Sequence, residues 1–247
     1  MKRNLILIGC ILILATFVNA HTFSDKAINW GLGGYGNEKI PSIPPGAREI
    51  LDVNNGIYVG PNEKKVYLTF DLGYEAGYTG AVLDILKKHN IRAIFFLCGN
   101  YLKEEALVNR MINEGHVIGN HTDHHRDLPT LGDDAIKKDI VDFTTKFNEK
   151  FNSPIVHFRP PKGRLNESVL KIANDQGLKT VMWTLAIEDW GRTPINVEKS
   201  TKKIMSRIHP GAIMLFHISN SGMPNMLDVL IPQIIEKGYS VGDATVL

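Results

Sequence analysis

Cysteine is almost absent from this 247-residue chain. There are two, Cys10 in an N-terminal apolar run and Cys98 in the body, so a disulfide framework is excluded. Cys98 follows Ile94-Phe95-Phe96-Leu97 and reads as a small apolar residue at a strand end rather than a catalytic thiol. An excess of one charge is lacking too. The 28 Lys and Arg against 26 Asp and Glu leave a net +2, which implies no basic face for nucleic acid. No internal repeat or low-complexity tract stands out, and no protein partner is implied. One G-x-G-x-x-G string exists, Gly31-Leu32-Gly33-Gly34-Tyr35-Gly36. Pro41-Ser42-Ile43-Pro44-Pro45 follows where a dinucleotide site needs a helix, so a loop is expected.

Long apolar runs are missing except at the start. Lys2 and Arg3 precede the run Leu5 to Val18, and Val18-Asn19-Ala20 ends on a small residue. Residues 1–20 therefore read as a signal peptide cleaved after Ala20. The run is short for a transmembrane helix, which needs about 20 apolar residues. Retention as an anchor, or a lipoprotein-type box at Leu7-Ile8-Gly9-Cys10, are the alternatives. Cleavage would remove Lys2 and Arg3 and bring the formal charge to zero. The expected location is outside the cell, either secreted or associated with the cell wall or with the outer face of the membrane.

What is present suits one large α/β domain. The chain is 43% hydrophobic and 22% charged, enough apolar residue to bury a core without staples. Residues 21–63, rich in Gly, Pro and Asn, read as an irregular N-terminal wrap. Residues 64–247 read as the catalytic domain. There, short apolar runs alternate with helical periods. Strands are expected at Val66 to Phe70, Arg92 to Cys98, His116 to Ile118, Pro154 to Phe158, Thr180 to Thr184, Ala212 to Phe216 and from Ser240-Val241. Helices are expected between them, including one marked by Ile136, Ile140, Phe143 and Phe147 and one capped by Asn166. About seven βα units imply a parallel sheet closed, or nearly closed, into a barrel.

Polar residues gather at the C-terminal ends of these strands, where parallel α/β folds keep their active sites. Asp71, in Thr69-Phe70-Asp71-Leu72-Gly73, is placed to act as base or ligand. His121 and His125 are four apart, so on a helical turn they face the same way and suit one transition metal. His124 points elsewhere. Arg159, held rigid before Pro160-Pro161, can pair with a buried carboxylate such as Asp71 and keep it ionised. Glu188-Asp189-Trp190 puts an aromatic wall for a sugar ring beside carboxylates. His217, just beyond a buried strand, is a candidate proton donor.

In their joint order these residues resemble the NodB-homology polysaccharide deacetylases, carbohydrate esterase family 4. That family carries T-F-D-D-G, H-[ST]-x-x-H, R-x-P, D-x-x-D-W and a Leu-x-His segment. The resemblance covers about residues 64 to 245. The stretch T-F-D-L-G-Y-E-A-G-Y-T, with Trp30 to Pro45, is more narrowly similar to delta-lactam-forming deacetylases of peptidoglycan N-acetylmuramic acid. The resemblance implies a deformed (β/α) barrel and one divalent metal ion, with zinc expected. It implies a peptidoglycan or related N-acetylated glycan as partner and substrate. His121 and His125 would be metal ligands, with Asp71 a further candidate. Asp71 would be the general base, Arg159 its orienting partner and His217 the general acid. Trp190, Leu215, Pro160 and Asp189 would line the substrate pocket.

Two positions depart from the family pattern. Leu72 stands where the second Asp, a metal ligand, belongs, so the protein donors fall to two where catalytic zinc usually has three. Asp71, Asp123 or added waters could fill the gap. Ala186 stands where the first Asp of D-x-x-D-W tunes the acidic His, and Asp189 could serve instead. Deacetylation of another polymer, chitin-like or exopolysaccharide, and an inactive wall-glycan-binding protein are the competing readings.

Overall fold

The structure, a computed structural model, describes residues 25–191 and 193–247. The expected signal segment, with Cys10 and the Ala20 cleavage site, lies outside the described residues, as do residues 21–24 of the wrap. In chain order the strands are β1 (Ile28–Asn29), β2 (Lys65–Leu72), β3 (Ile94–Leu97), β4 (Val117–Asn120), β5 (His157–Phe158), β6 (Arg164–Leu165), β7 (Lys179–Thr180), β8 (Leu185–Ala186), β9 (Ala212–His217) and β10 (Ser240–Val241). The α-helices are α1 (Ala47–Val53), α2 (Thr79–Lys88), α3 (Glu105–Asn113), α4 (Asp133–Phe151), α5 (Glu167–Asp175), α6 (Val197–Met205) and α7 (Met223–Glu236).

Parallel pairing runs β7-β5-β4-β3-β2-β9-β8, with β10 added beside β2. Both edges come from one stretch of chain. The expected single strand over Thr180 to Thr184 is instead two short ones, and residues 181–184 cross the gap between them. Val181 N–H donates to Phe158 O at 2.8 Å, and Thr184 N–H donates to Ile213 O at 3.0 Å. A continuous strand could not reach from β5 to β9, so the chain bends. Ile57 of the wrap bridges to Val181 and its carbonyl accepts from Met182 N–H at 2.8 Å. The result is the deformed (β/α) barrel.

Alternation along each strand divides the core in two. Val66, Leu68, Phe70 and Leu72 face outward into the large cluster shared with the helices, as do Phe95, Leu97, Phe158, Met214 and Phe216. Tyr67, Ile94, Phe96, Val181 and Ile213 form a smaller inner cluster. Carried forward two residues at a time, the inner parity reaches Thr69 and Asp71 on β2, His121 after β4, Arg159 after β5, and Leu215 and His217 on β9. The period of two in each strand therefore delivers these residues to one end of one lumen.

The helices bury one face each on the outer layer, and caps set two of their starts. Asn166 Oδ1 accepts from Val169 N–H and Asn196 Oδ1 accepts from Lys199 N–H, both at 2.9 Å, satisfying donors that the first turn leaves open. Asn90, beyond α2, takes φ +53° and ends it as expected. The wrap is irregular around 31–46, with the G-x-G-x-x-G string in a loop, but it also holds α1. Trp30 Nε1–H donates to Trp183 O at 2.9 Å, tying the wrap to the barrel mouth. Gly163 lies under this contact at φ +61°, where a Cβ would meet the Trp183 ring at 2.7 Å. Glycine is required there for both its dihedral and its size.

Candidate active site

Arg159 is the floor of the site and is fully buried. Its guanidinium lies 4.1 Å from the Phe96 ring centre and 5.5 Å from that of Trp183. Nε–H donates to Val181 O at 2.8 Å. Nη1–H donates to Thr69 Oγ1 at 2.9 Å and to Asp71 Oδ1 at 2.8 Å. Thr69 donates onward to Met214 O at 2.7 Å. A cation so enclosed is tolerable only when paired and hydrogen-bonded, and here it is both. Burial by itself would raise the Asp71 pKa. The charge and hydrogen bond of Arg159, aided by His217, outweigh that and hold the carboxyl below its ordinary range.

His121 stands on the opposite side of Asp71, its Nε2 3.6 Å from Asp71 Oδ2. Its Nδ1–H donates to Arg159 O at 2.8 Å, which leaves the Nε2 lone pair free toward the cleft. Such an outer partner fixes the tautomer that a metal ligand needs. The His121 and His125 rings lie 5.0 Å apart. Burial pushes His121 down to about 4 and also lowers His125, so both are neutral donors at neutral pH. The donor chemistry fits a divalent transition ion.

The pair does not converge by helical spacing, as the sequence reading supposed. Residues 121–125 form a non-helical loop with Thr122 at φ +66° and His125 at φ +53°. Asn120 Oδ1 accepts from Thr122 N–H at 2.7 Å, and Thr122 Oγ1 accepts from His125 N–H at 2.9 Å. Short side-chain-to-backbone bonds of this kind compete with helix and fold the loop back on itself. His124 points away and lies 2.8 Å from Asp139.

Across the cleft, His217 Nδ1 lies 2.8 Å from Asp189 Oδ1. Burial would lower the His217 pKa, but the hydrogen bond and charge of Asp189 raise it above its ordinary value. Trp190 stands at the mouth, 59% exposed, its ring 5.5 Å from that of His217. Asp71, His121, His125, Trp190 and His217 border two connected lobes of about 400 and 420 Å³.

The expected residues thus meet, with two differences of placement. Leu215 and Trp190 line the cleft. Pro160 is buried beneath it, and Lys162 and Gly163 take the wall instead. Asp189 is 1% exposed and sits behind His217, so it acts on that ring rather than on the wall. Sequence reasoning passed over Tyr74, Asn100 and Trp183, which also line the lobes. Tyr74 and Asn100 lie just beyond the ends of β2 and β3, and that position was the available signal.

Two groups of metal-capable side chains occur among the described residues. In one, Cys98, His121 and His125 each bring a ligand atom within 4.8 Å of the others. In the other, Asp123, His124 and Asp139 do so. There the carboxylates are taken: Lys146 donates to Asp123 at 2.6 Å and Arg126 to Asp139 at 3.0 Å. Asp123 groups with His124 and Asp139 rather than with the His121 and His125 pair.

A polysaccharide deacetylase family model matches residues 59–181. The chain is 34% identical over 239 residues to the peptidoglycan-N-acetylmuramic acid deacetylase PdaA of Bacillus subtilis, across 94% of this chain and 90% of that one. It is 35% identical over 187 residues to a peptidoglycan-N-acetylglucosamine deacetylase of Bacillus cereus, across 73% and 67%. The solved structure of PdaA, a family 4 carbohydrate esterase, superposes with a TM-score of 0.84 over 91% of this chain and 97% of that one, at 34% identity. A family 4 pseudoenzyme from Bacillus anthracis superposes at 0.72 over 78% and 68%, at 35% identity. On sequence over nearly its full length and on fold, this chain belongs to the polysaccharide deacetylases of carbohydrate esterase family 4.

Proposed function

We propose that the protein is a metal-dependent hydrolase that removes N-acetyl groups from peptidoglycan, with N-acetylmuramic acid as the sugar. One observation carries the reading. Asp71, bound to Arg159 and with its pKa lowered, and His217, bound to Asp189 and with its pKa raised, border the same cleft beside the His121 and His125 pair. Amide hydrolysis needs a base for the attacking water and an acid for the leaving nitrogen, both at one pH.

His121 and His125 would hold the ion. When bound, a divalent metal polarises the amide carbonyl and makes water a better nucleophile. Asp71 takes the proton of the attacking water, and Arg159 keeps that carboxylate charged and fixed. His217 protonates the nitrogen, because an amine anion is a poor leaving group. Asp189 keeps the His217 ring oriented and supports its positive charge. Leu215 offers the acetyl methyl an apolar contact, and the exposed face of Trp190 suits a sugar ring.

The muramic preference is supported by the likeness to PdaA and by the T-F-D-L-G-Y-E-A-G-Y-T stretch. Lys2, Arg3 and the apolar run after them support export to the outer face, where wall glycan lies. The test is acetate release from purified peptidoglycan, before and after chelation, alongside chitin oligomers. Release that chelator stops and zinc restores is expected. Equal rates on chitin oligomers would move the substrate to another N-acetylated polymer. A second reading, glycan binding without turnover, draws on Leu72 and the likeness to a pseudoenzyme. Tight binding with no acetate released under any metal would establish it.

A further inference from the structure

Leu72 leaves the histidine pair one protein donor short of the three usual in catalytic zinc sites. Leu72 itself belongs to the outward parity of β2 and is packed among the apolar groups under the helices. Asp71 is a poor substitute. Its Oδ1 is bound to Arg159 at 2.8 Å, and as a ligand it would cease to be a free base. Asp123 is held by Lys146.

We propose that Cys98 is the third protein ligand, completing a Cys-His-His site with Cys98 Sγ, His121 and His125 around one zinc-type ion. This rests on the metal-dependent reading above. Three observations converge. Cys98 continues the inner parity of Ile94 and Phe96, and its backbone is still extended at φ −85°, ψ 159°. Its side chain thus turns toward the end of the lumen that holds Asp71 and His121. Its N–H donates to Leu72 O at 3.0 Å, which places it beside the residue that lacks a donor. Its sulfur lies 3.4 Å from His121 O, and one ligand atom from each of the three residues falls within 4.8 Å of the others. Zn–S of about 2.3 Å and Zn–N of about 2.0–2.1 Å require these atoms to draw in on binding. On binding, the S–H proton passes to water and the sulfur donates its electron pair to the ion, with no change of oxidation state. A coordinated thiol is deprotonated outright. Three protein donors leave the fourth position open for water or the substrate carbonyl.

Cobalt(II) in place of zinc reads the sulfur directly, because thiolate ligation gives an intense charge-transfer band in the near ultraviolet. The wild-type chain, titrated with cobalt(II), is expected to show that band. Cys98→Ser should lose it, and zinc affinity should fall by more than about 100-fold, since even outer partners of a ligand are worth about 10–100-fold. Saturated cobalt-protein with no thiolate band, no cobalt or zinc binding at all, or unchanged zinc affinity in Cys98→Ser would each overturn the proposal. The wild-type spectrum needs no variant, so a misfolded mutant does not shelter the idea. Acetate release is read separately. Chelator-sensitive release without a thiolate band would discard Cys98 and keep the deacetylase. A thiolate band without release would keep Cys98 and discard the activity.

Discussion

Asp189 grips His217 twice: Oδ1 lies 2.8 Å from Nδ1, and Oδ2 accepts the His217 backbone N–H at 2.7 Å. One carboxylate therefore sets the ring's tautomer, its orientation and its charge. Asp189→Asn should lower the His217 pKa, because it removes the interactions that outweigh burial. A general acid works only while protonated, so the alkaline limb of the rate profile should move to lower pH while the acid limb stays. Above the new limb the loss should approach the roughly 10²–10⁴-fold a general acid contributes. An alkaline limb that does not move would remove His217 from the role of acid.

Asp71→Asn should lower kcat by about 10²–10⁴-fold, the usual worth of a general base. The amide keeps the shape and its oxygen can still accept from Arg159. Metal content measured on the purified variant should be unchanged. Loss of the metal together with activity would make Asp71 a ligand instead.

Removing Arg159 should cost stability as well as rate. Arg159→Met leaves Asp71 as a buried carboxylate without its partner, which costs about 3–5 kcal/mol. The double variant Arg159→Met with Asp71→Asn should recover part of that loss in chemical denaturation. Arg159→Lys should not rescue, because one ammonium cannot meet Val181, Thr69 and Asp71 with a planar fork. A loss under about 1 kcal/mol in Arg159→Met would show the pair to be dispensable.

Asn120 is the anchor of the histidine loop. Its amide donates to Ile140 O at 2.8 Å and to Thr144 Oγ1 at 3.0 Å, and its oxygen accepts from Thr122 N–H at 2.7 Å. Asn120→Ala strands buried polar groups at a cost of about 1–3 kcal/mol. Zinc affinity should fall by roughly 10–100-fold, as for other groups that orient a ligand. Calorimetric zinc titration beside a melting curve separates the two effects, and unchanged affinity would show that the loop holds its shape without Asn120.

Much of the site was legible because strand ends are a local signal. Asp71, His121, Arg159 and His217 each end or closely follow an apolar run, and parallel strands bring such positions to one rim. Misreadings came where backbone departs from a regular period. The histidine pair looked helical by spacing, yet two left-handed residues and the Thr122 hydroxyl make it a turn. Thr180 to Thr184 looked like one strand, yet residues 181–184 must span the barrel gap. Pro160 is buried, and Lys162 beyond it, at φ +60°, lines the wall.

By itself the sequence determined the alternation of strand and helix, the faces of each, and the polar residues at their ends. These follow from hydrophobic period and chain stiffness, which act over a few residues. Only the tertiary structure decided which strands are neighbours, and hence that Arg159 meets Asp71 across 88 positions. It alone set Asp189 behind His217 and Cys98 beside the histidine pair. Those meetings depend on sheet order, twist and burial summed over the whole barrel, and no local pattern encodes them.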